Sequence, residues 1–470
     1  MERMTGLDAS MLYSETATAH MHTMKVAVLD VTGETGLLDR SRLVDEFDRR
    51  LHLLPSLLRR PVRVPFDLHH PVWVNDPDFV VGHHIKELTL PAPGGRAEFD
   101  AALAQIHGQP LNLERPLWEM TFISGLATGQ IAVAVKIHHA VADGVAAAAG
   151  LVAVAASGPD EAVADPAAAW MPERLPDRWT LIREAVADRI RELRVLPALL
   201  ARTLAGVLRM LRARRGLDHR PPPPMSGAKA PWNGRLSSRR CVATTRLPLE
   251  DFKRIKSAFG CTLNDVLLAV AAGGLCRAAA REGFPLDKPL VTAIPSAIDA
   301  PDAPLRLSGN HVTQFFTSLC TDIDDPVERL AEISQVMRNA RSLNAKIGRE
   351  LMRDWNLFAY RWPYQVMWKH VMPRLPTPAI NVVISNVPGP SEASWFAGAR
   401  MDELYSLSVL TEGAGLNLTA WTYAGCLYIG IVSCPELVGD IHAMGDDLTA
   451  ALAELVSLAA QAEVVAGPAV

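Results

Sequence analysis

The chain has 470 residues, 49% hydrophobic and 21% charged, with a formal net charge of −4. That length suits two domains rather than one core, and the mild charge excludes a chain built for bulk nucleic-acid binding. Six scattered cysteines (Cys241, Cys261, Cys276, Cys320, Cys426 and Cys434) form no CxxC pair, which argues against a zinc ribbon or a disulfide framework. Residues 1–14 carry charges and no long apolar run, so no signal peptide is expected. The apolar run GVAAAAGLVAVAASG from Gly144, at 15 residues, is short for a membrane span and reads as a buried helix. A cytoplasmic chain with reduced thiols is the expectation.

In chain order, two histidine pairs come first: LHHP with His69 and His70, and GHHIKE with His83 and His84. Neither is followed by Asp-Gly, and both are read as structural. QIAVAVKIHH reads as a strand reaching about His139, and an Ala-rich helix begins near Asp143. The stretch 157–176, rich in Pro, Ala and acids, reads as a linker. From Arg178 to Arg215, ten arginines stand against Glu184, Asp188 and Glu192, a net of +7. Leu181, Ile182 and Ala185, then Leu200, Leu204, Val207, Leu208 and Leu211, recur at helical spacing, and Pro197 divides the segment into two helices. Such basic amphipathic helices suit an anionic membrane surface as well as they suit solvated helices packed by one face.

RPPPPMSG from Arg220 is a stiff connector, and a second half begins near Arg240. There, Pro326 to Lys346 reads as a helix, NVVISNVPG as a strand, and Leu416 to Ser433 as two strands around Gly425. YRWPYQVMWKH, Tyr360 to His370, reads as core packing. The pattern is α/β with mixed sheets, divided as 1–156, 157–239 and 240–470.

The chemistry concentrates in KIHHAVADG, Lys136 to Gly144. Adjacent strand residues point to opposite faces, so His138 and His139 cannot easily grip one metal ion. Asp143 is a good N-cap, and Gly144 lets the chain pass close to another element. One histidine then stands near a helix N-terminus, whose positive dipole end favours the neutral imidazole that a general base requires.

HHxxxDG, here His138, His139, Asp143 and Gly144, resembles the signature of CoA-dependent acyltransferases of the chloramphenicol-acetyltransferase and condensation-domain superfamily. Further blocks resemble the bacterial wax ester synthase/diacylglycerol acyltransferase family: LDASMLYSE from Leu7, PLWE from Pro116, NDVLLAV from Asn264, SGN from Ser308 and SNVPGP from Ser385. One block departs. AIPSAIDAP stands where the family carries a Pro-Val-Ser-Leu-Arg-like run, so that run's arginine is missing beside Ile294 to Asp299, where the resemblance implies acceptor or CoA contacts.

The resemblance implies two chloramphenicol-acetyltransferase-like domains, mixed sheets flanked by helices, and an active site at their interface. It implies transfer of a long-chain acyl group from acyl-CoA, as substrate and with no cofactor, to diacylglycerol or a long-chain alcohol. Peripheral contact with the inner membrane face or a lipid droplet goes with such substrates. His139 is implied as the base, with His138 structural and Asp143 fixing the loop. Asn264 is the candidate oxyanion donor, beside Asp265, although TLND is also a capping sequence. Pro116, Trp118, Ser385 and Asn386 are candidates for lining the substrate site. Two rival readings stay open: a lipid-binding protein with a degenerate site, and another acyltransferase of the superfamily.

Overall fold

The computed structural model describes residues 1–470 except 32–37, 159–160, 162–169, 224–225, 285, 287, 300–302, 305, 349, 375–377 and 467–470. Parts of three expected features lie outside the described residues: most of the 157–176 linker, Pro224 and Met225 of the connector, and Ala300 and Pro301 of the altered block.

The strand Ile131–His138 sits inside a six-stranded sheet ordered Trp395–Phe396, Ala399–Leu407, His22–Asp30, Ile131–His138, Trp118–Ser124, Ile85–Thr89. Only its last pair is parallel. The strand is apolar on both faces because both are covered. Ala132 and Ala134 lie on the side of the helix Arg96–Gly108, and Val133 and Val135 on the side of the helix Gly144–Val154. The second six-stranded sheet runs Val312–Ser318, Val291–Ala297, Val382–Pro388, Leu416–Tyr423, Cys426–Ser433, Cys241–Pro248. Val382–Pro388 pairs in parallel on both sides. Three helices, Leu263–Arg281, Pro326–Ile347 and Ile441–Ala466, close the second core. Leu263–Arg281 is long and apolar enough for a membrane span, but it is mostly buried as a core helix.

The two halves are interleaved. Trp395–Phe396 and Ala399–Leu407 come from the second half, yet they complete the first sheet. Ala399–Leu407 pairs antiparallel with His22–Asp30, and Ser406 stands opposite Lys25. The second sheet presses against this strand at Gly430, where a Cβ would lie 2.3 Å from the Ser406 carbonyl oxygen. Only glycine permits that approach.

The basic segment forms two helices, Arg178–Leu193 and Leu196–Arg215, with Pro197 in the first turn of the second. The second of them packs by the side that carries Gly206. The second helix buries Leu199 and Gly206, while Leu200, Leu204, Leu208 and Leu211 face solvent. Gly206 decides this, because its bare backbone lies against Ile347, where a Cβ would be 2.4 Å from the carbonyl oxygen. The expectation for Tyr360 to His370 is corrected. It is not core: Trp362 is 75% exposed and Tyr360 and Met367 about half exposed, because the short helix Arg361–Val366 lies outside the helix Gly6–Ser14 and packs Tyr364 on Tyr13.

Candidate active site

The strand ends at His138, and His139 opens a turn that leads into the helix Gly144–Val154. The two rings meet different surroundings. The Ala140 N–H donates to His138 Nδ1 at 3.0 Å, so the ring proton sits on Nε2 and is donated to Glu15 Oε2 at 2.7 Å. Both ring nitrogens of His138 are therefore engaged, and the ring is fully buried. His139 continues the sheet ladder for one bond, its N–H donating to the Met21 carbonyl at 2.7 Å. Its ring is half-buried.

Burial pushes the His139 imidazole down to about 4, helped by the Lys25 ammonium and His138 and opposed by Asp143. The ring is thus neutral at pH 7. A helix dipole alone predicts this neutrality from sequence; the first cause in the structure is desolvation, followed by Lys25.

Asp143 holds the turn. Its Oδ1 caps the helix by accepting the Ala146 N–H at 2.9 Å. Its Oδ2 accepts from Arg306 Nη2 at 2.6 Å and from the His311 N–H at 2.9 Å. Arg306 also binds Asp299, at 3.3 Å, and the carbonyls of Ser308 and Gly309. Gly144 makes the close approach expected of it, since a Cβ there would lie 3.3 Å from Val387 of the second sheet.

The SGN block crosses this turn. The Gly309 N–H donates to the Val141 carbonyl at 2.6 Å, and the Asp143 N–H donates to the Gly309 carbonyl at 3.2 Å. The Asn310 amide donates to the His139 carbonyl, and its backbone N–H donates to Asp8 Oδ1 at 2.8 Å. Burial raises the Asp8 carboxyl to about 6. Asp8, Glu15, Arg306 and Asn310 were not assigned roles from sequence. Two carried a signal: Asp8 and Glu15 are seven apart in LDASMLYSE, two helical turns on one face.

The remaining candidates are spread out. Thr262 and Asp265 form a reciprocal capping box, and Ser334 donates to Asp265 at 3.2 Å. The Asn264 amide nitrogen is buried without a hydrogen-bond partner, and among the described residues no hydrogen bond joins it to the His139 turn. Ser385 is half-buried on the strand face that carries Val387, and Asn386 is exposed. Pro116 is buried. Trp118 stacks on His84 at 4.5 Å and donates its indole N–H to the Leu57 carbonyl. Beside it, an apolar cavity of about 60 Å³ lies between the first sheet and the helix Gly144–Val154, lined by residues including Lys25, Val133, Val135, Phe47, Leu151 and Phe396.

Replacing Arg306 by alanine leaves the buried Asp143 carboxylate with backbone donors only. We expect a loss of about 3 kcal/mol in urea unfolding, at the lower end for breaking a buried pair because Arg306 is partly exposed. Arg306→Lys should recover only part of it, since one ammonium cannot span Asp143 and both carbonyls. Unchanged unfolding of Arg306→Ala would remove the pair from the account.

The chain matches the wax ester synthase/diacylglycerol acyltransferase catalytic domain over residues 4–267 and the C-terminal domain of that family over 308–456. A protein of Mycobacterium tuberculosis (strain CDC 1551 / Oshkosh) that carries a diacylglycerol O-acyltransferase name is 35% identical over 464 residues, 97% of this chain and 90% of the relative. A second, from strain ATCC 25618 / H37Rv and similarly named, is 28% identical over 466 residues, 99% and 98% of the two chains. The fold is similar to that of the wax ester synthase/diacylglycerol acyltransferase from Marinobacter aquaeolei VT8, with a TM-score of 0.71 at 24% identity over 98% of this chain and 100% of that one. It is also similar to the first condensation domain of the CDA synthetase, with a TM-score of 0.57 at 15% identity over 100% and 97%. The chain therefore belongs to the wax ester synthase/diacylglycerol acyltransferase family.

Proposed function

We propose that the protein transfers a long-chain acyl group from acyl-CoA to the hydroxyl of diacylglycerol, and to long-chain alcohols as second acceptors. The observation that carries this reading is a neutral, half-buried imidazole, His139, on a turn held by Asp143 and Arg306. Such a ring suits proton removal from an alcohol.

In this reading the acceptor oxygen attacks the thioester carbonyl carbon while His139 takes its proton. The carbonyl π pair moves onto oxygen, giving a tetrahedral oxyanion. When the carbonyl re-forms, the C–S bond breaks and the thiolate leaves with the proton from His139. Proximity of the two substrates supplies much of the rate. His138 and Asp143 act on the turn, not on the proton: both nitrogens of one and both oxygens of the other are already bound. Asn264, with a buried amide donor free, remains the candidate for oxyanion contact on the second-half side.

We also propose a peripheral lipid contact. The exposed residues Leu200, Leu204, Leu208, Leu211 and Trp362, together with Trp179, accompany the net +7 of residues 178–215. Exposed apolar side chains among arginines match an anionic bilayer or droplet surface.

Two measurements test these readings. Thiol release and lipid products from labelled acyl-CoA should appear with diacylglycerol for the wild type, and fall at least 100-fold for His139→Ala, on the scale of general-base catalysis. Protonation of His139 should lower the wild-type kcat/KM only toward pH 4, where the ring gains a proton. Equal ester formation by both proteins would rule out His139 as the base. For the surface, Leu204→Glu with Leu208→Glu should weaken pelleting with phosphatidylglycerol vesicles; undiminished pelleting would remove that face from the contact.

A further inference from the structure

Lys25 is 7% exposed, and among the described residues no carboxylate pairs with it. A buried ammonium without an acidic partner is uncommon and signals a function. It lies in the middle of the strand His22–Asp30, opposite Val135 on one side and Ser406 on the other.

Register fixes which way it faces. Thr23 pairs with Ile137, Lys25 with Val135 and Ala27 with Val133. The ladder bond from the His139 N–H to the Met21 carbonyl extends the same alternation by one more row. Lys25, Thr23, Val133, Val135 and His139 therefore share one face of the sheet. That face is the wall of the apolar cavity, which Lys25 lines together with Ala27 and Leu29.

The side chain leans toward the histidine end. Nζ donates to Thr23 Oγ1 at 3.1 Å, one row nearer His139, and to Ser406 Oγ at 2.6 Å. The Trp421 ring of the second sheet covers it, 5.1 Å from Nζ to the ring centre. Of three ammonium N–H groups, two are thus engaged and one takes no hydrogen bond among the described residues. From the Thr23 row, His139 is one strand across and one row on, roughly 5 Å by about 7 Å of backbone. A thioester that meets His139 along this face brings its carbonyl between these two groups.

We propose that Lys25 is a catalytic residue whose ammonium faces the thioester carbonyl and stabilises the oxyanion formed when the acceptor oxygen attacks. This deepens the reading of His139 as base and rests on it. The division of charge is physically consistent. The oxyanion and the His139 imidazolium form together, and a fixed cation on the oxyanion side favours that separation. In the free enzyme the same cation disfavours protonation of His139, which is faced also by His138 on its own strand and by Asp143 on the turn. Burial brings Lys25 itself down to about 7, and Asp143 opposes that fall.

The test is Lys25→Met, which keeps the aliphatic stem and removes the charge, assayed as full-length protein with palmitoyl-CoA and diacylglycerol. We expect kcat to fall about 100-fold, the usual loss for one oxyanion donor, with palmitoyl-CoA binding by calorimetry nearly unchanged. The acid limb of kcat/KM should also move to higher pH. Lys25→Cys alkylated with bromoethylamine regenerates an ammonium at similar reach and should recover most of the rate, with wild type treated in parallel. A kcat within twofold of wild type, or a rise in KM alone, would overturn the proposal. If Lys25→Met does not fold, the alkylated and untreated cysteine variants decide: equal rates at equal thermal midpoints overturn it. Failure of the His139 assignment would instead appear as undiminished ester formation by His139→Ala.

Discussion

The two oxygens of Asp143 hold together the parts on which this site depends. One caps the helix that covers the apolar cavity, and the other ties the turn to Arg306 and His311 of the second half. A carboxylate buried this deeply is tolerable only when its lone pairs are filled, and here helix cap, guanidinium and backbone N–H fill them. Because the donors come from both halves, the turn carrying His139 is defined only when the halves are joined. The strand Ala399–Leu407, which crosses into the first sheet, makes that joining part of the fold rather than a docking event.

The site is electrostatically asymmetric. Around the turn, acids are matched: Asp143 with Arg306, Asp299 with His311, Asp8 with backbone and hydroxyl donors. On the cavity face, Lys25 Nζ is held only by hydroxyls and an aromatic ring. His139 stands between these regions, and burial keeps its ring neutral. A neutral base next to an ammonium suits a reaction that creates an imidazolium and an oxyanion in one step.

Much of this was legible in the sequence wherever a local rule applied. Asp143 as N-cap, Gly144 at a close approach, the strand before it and the division at Pro197 follow from capping, sterics and periodicity. Thr262 and Asp265 proved to be the capping box that spacing alone allowed. What sequence did not disclose is long-range pairing. Arg306 lies 163 residues from Asp143, and the family's own arginine block pointed elsewhere. Lys25 sits in an otherwise unremarked strand, and its meaning comes from register with Val135 and from Ser406, 381 residues away. Helical spacing identified the apolar stripe from Leu200 to Leu211 but not its direction, because Gly206 sets which side packs. The aromatic run from Tyr360 was misjudged for a related reason: large apolar residues usually mark a core, yet here they lie on an outer helix.

The central claim is direct transfer between two bound substrates, with His139 as proton acceptor. Rapid-quench analysis of the enzyme mixed with radiolabelled palmitoyl-CoA tests it most directly. Without an acceptor, the label should remain in the thioester and none should become bound to protein. On addition of diacylglycerol it should pass to triacylglycerol in a single phase. A burst of protein-bound label that precedes the ester would contradict the account.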